Sequence, residues 1–353
     1  MKPILAARRP FRYRFMQRIS LGALALSVLI PRVAYGQECL SCSSFPSSAD
    51  VATAGDFWII KKQVNEVNLW FTASIHGKFI ADLTKGDITI RDEGEIPAAI
   101  VAFHSQHDLP LRVGLLVDTS GSVKERFRFE QAAATGFLRE AIREPQDLGF
   151  VMGFANHPAL TQDLTNDTAL LSAGVAALKP VGGTALFDAV VVATHKLVNT
   201  SEERFVAKVL IVLSDGDDNS SKIRLDAAIA VAQQENVVIY TINTNPPTSD
   251  TGLADSHRVG DTNMKRLAER TGGRAFRPES ARVVAKAFAK VHQELRCRYA
   301  VSYRPPDFAD DGRYRRISIV ARKQGKNLQV HTRTGYYARS SALGLANDQN
   351  GAH

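Results

Sequence analysis

Only three of the 353 residues are cysteine and only two are tryptophan. Neither a disulfide scaffold nor a cysteine-rich zinc cage can organise a chain of this length on so few. Long apolar runs are scarce too: the run from Ile19 to Ile30 has 12 residues, short of the ~20 that a spanning helix needs. Hydrolytic and phosphate-handling signatures are missing. There is no His-Glu-x-x-His, no Gly-x-Ser-x-Gly elbow, and no phosphate loop, since Val181-Gly182-Gly183-Thr184 lacks the lysine. The first 36 residues contain no acid but seven bases, which leaves 37 Lys and Arg against 36 Asp and Glu in the remainder. The formal charge of +8 is therefore mostly the leader's, and a nucleic-acid surface is not expected.

What is present begins with that leader. A basic stretch to Arg18, the apolar run, and the small-residue site Ala34-Tyr35-Gly36 form an export signal over 1–36, with cleavage expected after Gly36. Left uncleaved, the run would be an anchor, and it is the one route to a membrane that the sequence offers. Arg8-Arg9 with Phe11 resembles a twin-arginine signal, so the export route stays open. An exported product is periplasmic or extracellular, where Cys39, Cys42 and Cys297 should give at least one disulfide and leave one thiol over. Cys39-Leu40-Ser41-Cys42 lacks a second pair for zinc and a strand-to-helix context for redox chemistry. A structural disulfide, with its pairing undetermined, is the reading.

Residues 37–55 are rich in Ser and Ala and read as a linker. Over 56–108, short alternating runs are divided by His76-Gly77-Lys78, Lys85-Gly86-Asp87 and Glu93-Gly94, an antiparallel β pattern. From Leu111 the pattern changes. Leu111 to Val117 is apolar throughout, as in a strand buried on both faces, and helical and strand periods then alternate as far as Leu295. This is an α/β fold: a doubly wound, mostly parallel sheet over 111–295. The β pattern returns over 297–338. It is too small to stand alone and is expected to pair with 56–108, so that the α/β domain is inserted in, or flanked by, a smaller antiparallel β domain. Residues 339–353 read as a disordered tail.

In open α/β sheets, ligands bind beyond the carboxyl ends of the parallel strands. Three polar clusters fall there: Asp118-Thr119-Ser120-Gly121-Ser122, Gly182-Gly183-Thr184, and Ser214-Asp215-Gly216-Asp217-Asp218. Two carboxylates and three hydroxyls are all hard oxygen donors, suited to magnesium, manganese or calcium rather than zinc. Singly, Ser120, Ser122 and Asp215 could instead be helix N-caps.

Asp-x-Ser-x-Ser after the first strand, a downstream Gly-Gly-Thr and a later Ser-Asp-Gly resemble the metal-ion-dependent adhesion site of von Willebrand factor type A domains. All five ligand positions match: Asp118, Ser120, Ser122, Thr184 and Asp215. Stretches such as GLLVDTSGSV, GGTALFDAV and VLIVLSDGDDNSS also resemble the exported von Willebrand A-related proteins of acidobacteria. The resemblance implies a Mg2+ site, with Mn2+ or Ca2+ as alternatives, whose open position takes an Asp or Glu from a protein partner. It implies a non-enzymatic adhesion or interaction module with no substrate. The alternative is a structural envelope scaffold whose metal binding is vestigial. The segment from Asn243 to Thr262 lacks periodicity and follows a parallel strand, so it is expected to be a loop forming one wall of the partner site, with a disordered insertion as the alternative. The resemblance also makes the helix from Ala281 to Leu295 a candidate for coupling that site to the β segments.

Overall fold

The computed structural model describes residues 66–105, 109–198, 206–245, 254–280, 283–307, 309 and 311–338. Cys39 and Cys42, the leader, the linker and the tail lie outside the described residues. All the described residues belong to one compact unit.

Four strands open it: β1 (Val67–Ile75), β2 (Lys78–Phe79), β3 (Ile88–Asp92) and β4 (Ala99–Ser105). The α/β part follows as β5 (Leu111–Asp118), α1 (Phe127–Ala141), β6 (Leu148–Phe154), β7 (Pro158–Thr165), α2 (Thr168–Ala177), α3 (Leu186–Val198) and β8 (Ala207–Ser214). It continues with α4 (Leu225–Gln234), β9 (Val237–Asn243), α5 (Ala254–Thr271), β10 (Ala275–Phe276) and α6 (Val284–Arg296). Five strands close the chain: β11 (Arg298–Arg304), β12 (Tyr314–Lys323), β13 (Lys326–Asn327), β14 (Gln329–Thr332) and β15 (Gly335–Tyr337).

The central sheet has the order β10-β9-β8-β5-β6-β7. Its pairs are parallel except the last, where β7 runs antiparallel to β6. The sequence pattern gave no sign of β7, because its side chains are half-buried or exposed and no alternation marks them. Alternate residues of β5 and β8 face opposite cores, as the period of two requires. Leu111, Val113, Leu115 and Val117 pack with α1, α2 and α6, whereas Leu116, Leu210 and Val212 pack with α3, α4 and α5. With both faces covered by helices, the strands need the continuous apolar character of LRVGLLV.

The remaining strands interleave the two ends of the described chain. β1 lies between β11 and β14, and β4 pairs with β11 on the far side, all antiparallel. A second sheet pairs β3 with β12. The two sheets enclose a third core, in which Leu69, Phe71 and Ile90 meet Tyr299, Val301 and Ile319. Buried Asp92 accepts hydrogen bonds from the hydroxyls of Tyr303 (2.8 Å) and Tyr336 (2.9 Å). These bonds tie residues more than 200 positions apart to one carboxylate.

One sequence expectation needs correcting. The segment from Asn243 to Thr262 is not an uninterrupted loop: Asn243 ends β9, Thr244 and Asn245 are buried, and residues from Ala254 onward are helix α5. The first turns of α5 show no apolar stripe; Val259 is exposed. Gly260 is placed by a close backbone approach to Asp215 and Gly216, which leaves no periodic trace.

Candidate metal centre

β5 and β8 are neighbours, so the loops leaving their carboxyl ends face each other. Hydrogen bonds join those loops in a closed ring. The Ser120 amide donates to Asp118 Oδ1 (2.8 Å) and the Ser214 hydroxyl to Asp118 Oδ2 (2.6 Å). Ser120 and Ser122 share a hydroxyl–hydroxyl bond of 2.9 Å, and Ser122 donates to Asp215 Oδ2 at 2.7 Å. The Gly216 amide returns to Ser214 Oγ at 3.0 Å. Ser120 stands at the N-cap of a single 3-10 turn, yet its side chain makes no cap bond. The capping alternative for Ser120 therefore fails: its hydroxyl is turned towards Ser122.

Thr184 is outside that ring. It is buried and held through its backbone: its amide donates to Asn219 Oδ1 (2.9 Å), and its carbonyl accepts from the amides of Asn219 and Ser220 (both 3.0 Å). Its turn reaches the first loop through the Gly121 amide, which donates to the Gly182 carbonyl (3.2 Å). Gly182 has φ +87°, a conformation that favours glycine.

The electrostatics are those of carboxyls withdrawn from water and set close together. Asp118 is fully buried, and burial, followed by the negative charge of Asp215, pushes its carboxyl up to about 6 despite the bonds from Ser214 and Ser120. Glu130 on α1 is also buried, and neither of its oxygens accepts a hydrogen bond. Burial raises its carboxyl to about 8; the Arg126 guanidinium opposes the rise, while Asp118 and Asp215 add to it. Arg126 stands between the two acids, its Nε 3.3 Å from Glu130 Oε1 and its Nη2 3.7 Å from Asp215 Oδ2.

The sequence reading passed over Arg126 and Glu130, and placed Asn245 only within the segment from Asn243 to Thr262. Asn245 donates from its side chain to the Asp215 carbonyl at 2.8 Å. Gly216, at φ +83°, lies directly against Gly260 of α5: a Cβ on Gly216 would run into the Gly260 carbonyl, and one on Gly260 into the Asp215 carbonyl. Asp218 is not among the ring's members; it accepts the Leu186 amide at 2.9 Å and so caps α3.

A family model for the von Willebrand factor type A domain matches residues 113–290, just over half the chain. The chain belongs to the von Willebrand factor type A family. No curated protein sequence matches it. Among solved structures, BatB from Bacteroides thetaiotaomicron is 17% identical, with 52% of this chain and 97% of that one covered and a TM-score of 0.40. The von Willebrand domain of the type V pili tip protein Mfa5 from Porphyromonas gingivalis is 16% identical, with 52% and 94% covered and a TM-score of 0.41. Proximal thread matrix protein 1 from the mussel byssus, solved with zinc in its adhesion-site motif, is 19% identical, with 58% and 49% covered and a TM-score of 0.44.

Domains of this family can bind a divalent ion at the adhesion-site motif, and this chain's residues fit one. Among the described residues no three His, Cys, Asp or Glu side chains gather as a metal cage. Here the donors are two carboxylates and hydroxyls, a hard oxygen set. Asp118, buried beside a second carboxylate, that of Asp215, is a site where a cation would relieve the burial and the like-charge repulsion.

Proposed function

We propose that the protein is an exported, divalent-ion-dependent binding module that captures an acidic side chain of a protein partner. The ion, Mg2+ or Mn2+ with Ca2+ as the alternative, is held by Asp118, Ser120, Ser122, Thr184 and Asp215. The observation that carries the reading is the bonded hydroxyl pair Ser120 and Ser122, of which Ser122 donates to Asp215 across two loops nearly a hundred residues apart. Hydroxyl donors leave much of the ion's charge uncompensated, and that charge attracts an incoming carboxylate. When bound, the ion supplies the positive point that orients the partner. The protein's own residues fix the donors, bury the carboxylates and keep the rim open, and no bond is made or broken.

The N-terminal half of α5 forms one wall of this site, supported by the contact of Gly260 with Asp215 and Gly216. Residues 1–36 direct export, and among the described residues no helix is long and apolar enough to cross a membrane. Affinity capture from envelope extract tests the reading: partner recovery should need Mg2+ and vanish with chelator. Recovery that ignores chelator would favour the scaffold role, with the metal motif vestigial.

A further inference from the structure

Asp215 Oδ2 has two neighbours of different kinds. One is the Ser122 hydroxyl at 2.7 Å, itself bonded to Ser120. The other is the Arg126 guanidinium at 3.7 Å. The oxygen that faces the hydroxyl donors is thus also the one that the arginine approaches. Arg126 is four residues past Ser122, on the turn that leads into α1, and both it and Asp215 are largely withdrawn from solvent. Its Nε lies 3.3 Å from Oε1 of Glu130, whose side chain is wholly buried. That contact keeps the Arg126 side chain, and its charge, beside the site.

We propose that Arg126 is a built-in competitor for the divalent ion, holding Asp215 in the metal-free protein and lowering the affinity of the site, with Glu130 as its anchor. The inference rests on the metal-site reading above. Its physical basis is direct: a guanidinium close to a ligand carboxylate repels a second cation seeking that carboxylate, and at a partly buried position solvent screens the repulsion only weakly. Ion occupancy then requires the ion to outcompete a resident charge. The site responds to abundant divalent ions and ignores traces. The metal-free state is also less electrostatically strained than an open pair of acids would be.

The test is calorimetric titration of Mn2+ and Mg2+ into the full chain and into Arg126→Gln and Arg126→Met, the latter keeping the aliphatic stem. Arg128→Gln, which removes an exposed charge two residues away, is the control for general electrostatics. Circular dichroism in chelator reports whether each variant is folded. Both Arg126 variants should bind the ion about tenfold more tightly or better, and Arg128→Gln should shift affinity far less. In chelator the Arg126 variants should melt below the parent, and saturating ion should close that gap. Equal or weaker binding by folded Arg126 variants, with the parent binding normally, would overturn the competitor role alone. If neither the parent nor any variant bound an ion, the metal-site reading would fall and this inference with it.

Discussion

Asp118 is ionised at a cost. Its folded value of about 6 lies above the ordinary 3.8 because of burial first and Asp215 second. A carboxyl raised on folding holds its proton more tightly in the native chain than in the unfolded one, so its contribution to stability falls as pH rises from about 4 to about 6 and stays low above that. Asn cannot ionise, and the Ser214 hydroxyl can accept from its amide. In chelator at pH 7.5, Asp118→Asn should therefore be more stable than the parent by roughly 1–3 kcal/mol, with the gap closing towards pH 4. Denaturant unfolding at the two pH values measures this. A variant less stable at pH 7.5 would mean that the carboxylate is already compensated. That Asp118, Ser120, Ser122 and Asp215 come together was legible at this scale because motif spacing carries them. Arg126 and Glu130 were not, since their positions depend on which loops face each other, and no local pattern records that.

Among the elements, α5 has the most direct bearing on the site. Its N-terminal half is polar, and Val259 is exposed. The helix is placed by Gly260 against the backbone of Asp215 and Gly216, and by the Asn263 side chain, which donates to the Gly216 carbonyl (3.1 Å). Further support comes from Asp261, which accepts from Asn243 at 2.6 Å and pairs with Arg277. Gly260→Ala should force these backbones apart, costing about 1–3 kcal/mol and weakening ion binding, whereas Gly136→Ala in α1, with open space around it, should do neither. Thermal unfolding and ion titration of the two variants separate a specific contact from a general glycine effect; equal behaviour would remove α5 from the site.

α6 shows the opposite case, in which the sequence stripe did locate the packing. Val284, Ala287, Phe288, Val291 and Leu295 are all buried, and Phe288 stacks on Phe137 of α1. Its C-terminal end is anchored: Arg296 reaches Asp147 at 3.1 Å, and Asp147 also accepts from Arg143 (2.9 Å) and the Leu111 amide (2.9 Å). A helix tied at that end to a buried carboxylate beneath β5 resists sliding as a rigid rod, so coupling through it would first have to break the Asp147 bonds. Cys297, next in the chain, has no disulfide among the described residues.

Over the whole molecule, β1 and β11 share six register pairs from Val67–Tyr303 to Thr72–Arg298, so the α/β part is held at its base by strands from both sides of it. The α/β alternation was readable because strands buried on both faces must be apolar throughout and helices show their own period. The number and order of the C-terminal strands were not, since pieces as short as β13 and β15 carry no period at all. The sheet order then brings the loops after β5 and β8 together, with the turn before α3 against the first, and the five motif positions fall on those three segments. Whether they hold an ion is the claim on which the functional account depends. Calorimetric titration of Mg2+ and Mn2+ into the parent and Asp118→Ala at pH 7.5 tests it most directly. The account predicts one ion per parent chain and, in the variant, a loss beyond the roughly 10–100-fold expected of a residue that only supports a ligand. Binding of equal strength in both proteins would contradict it.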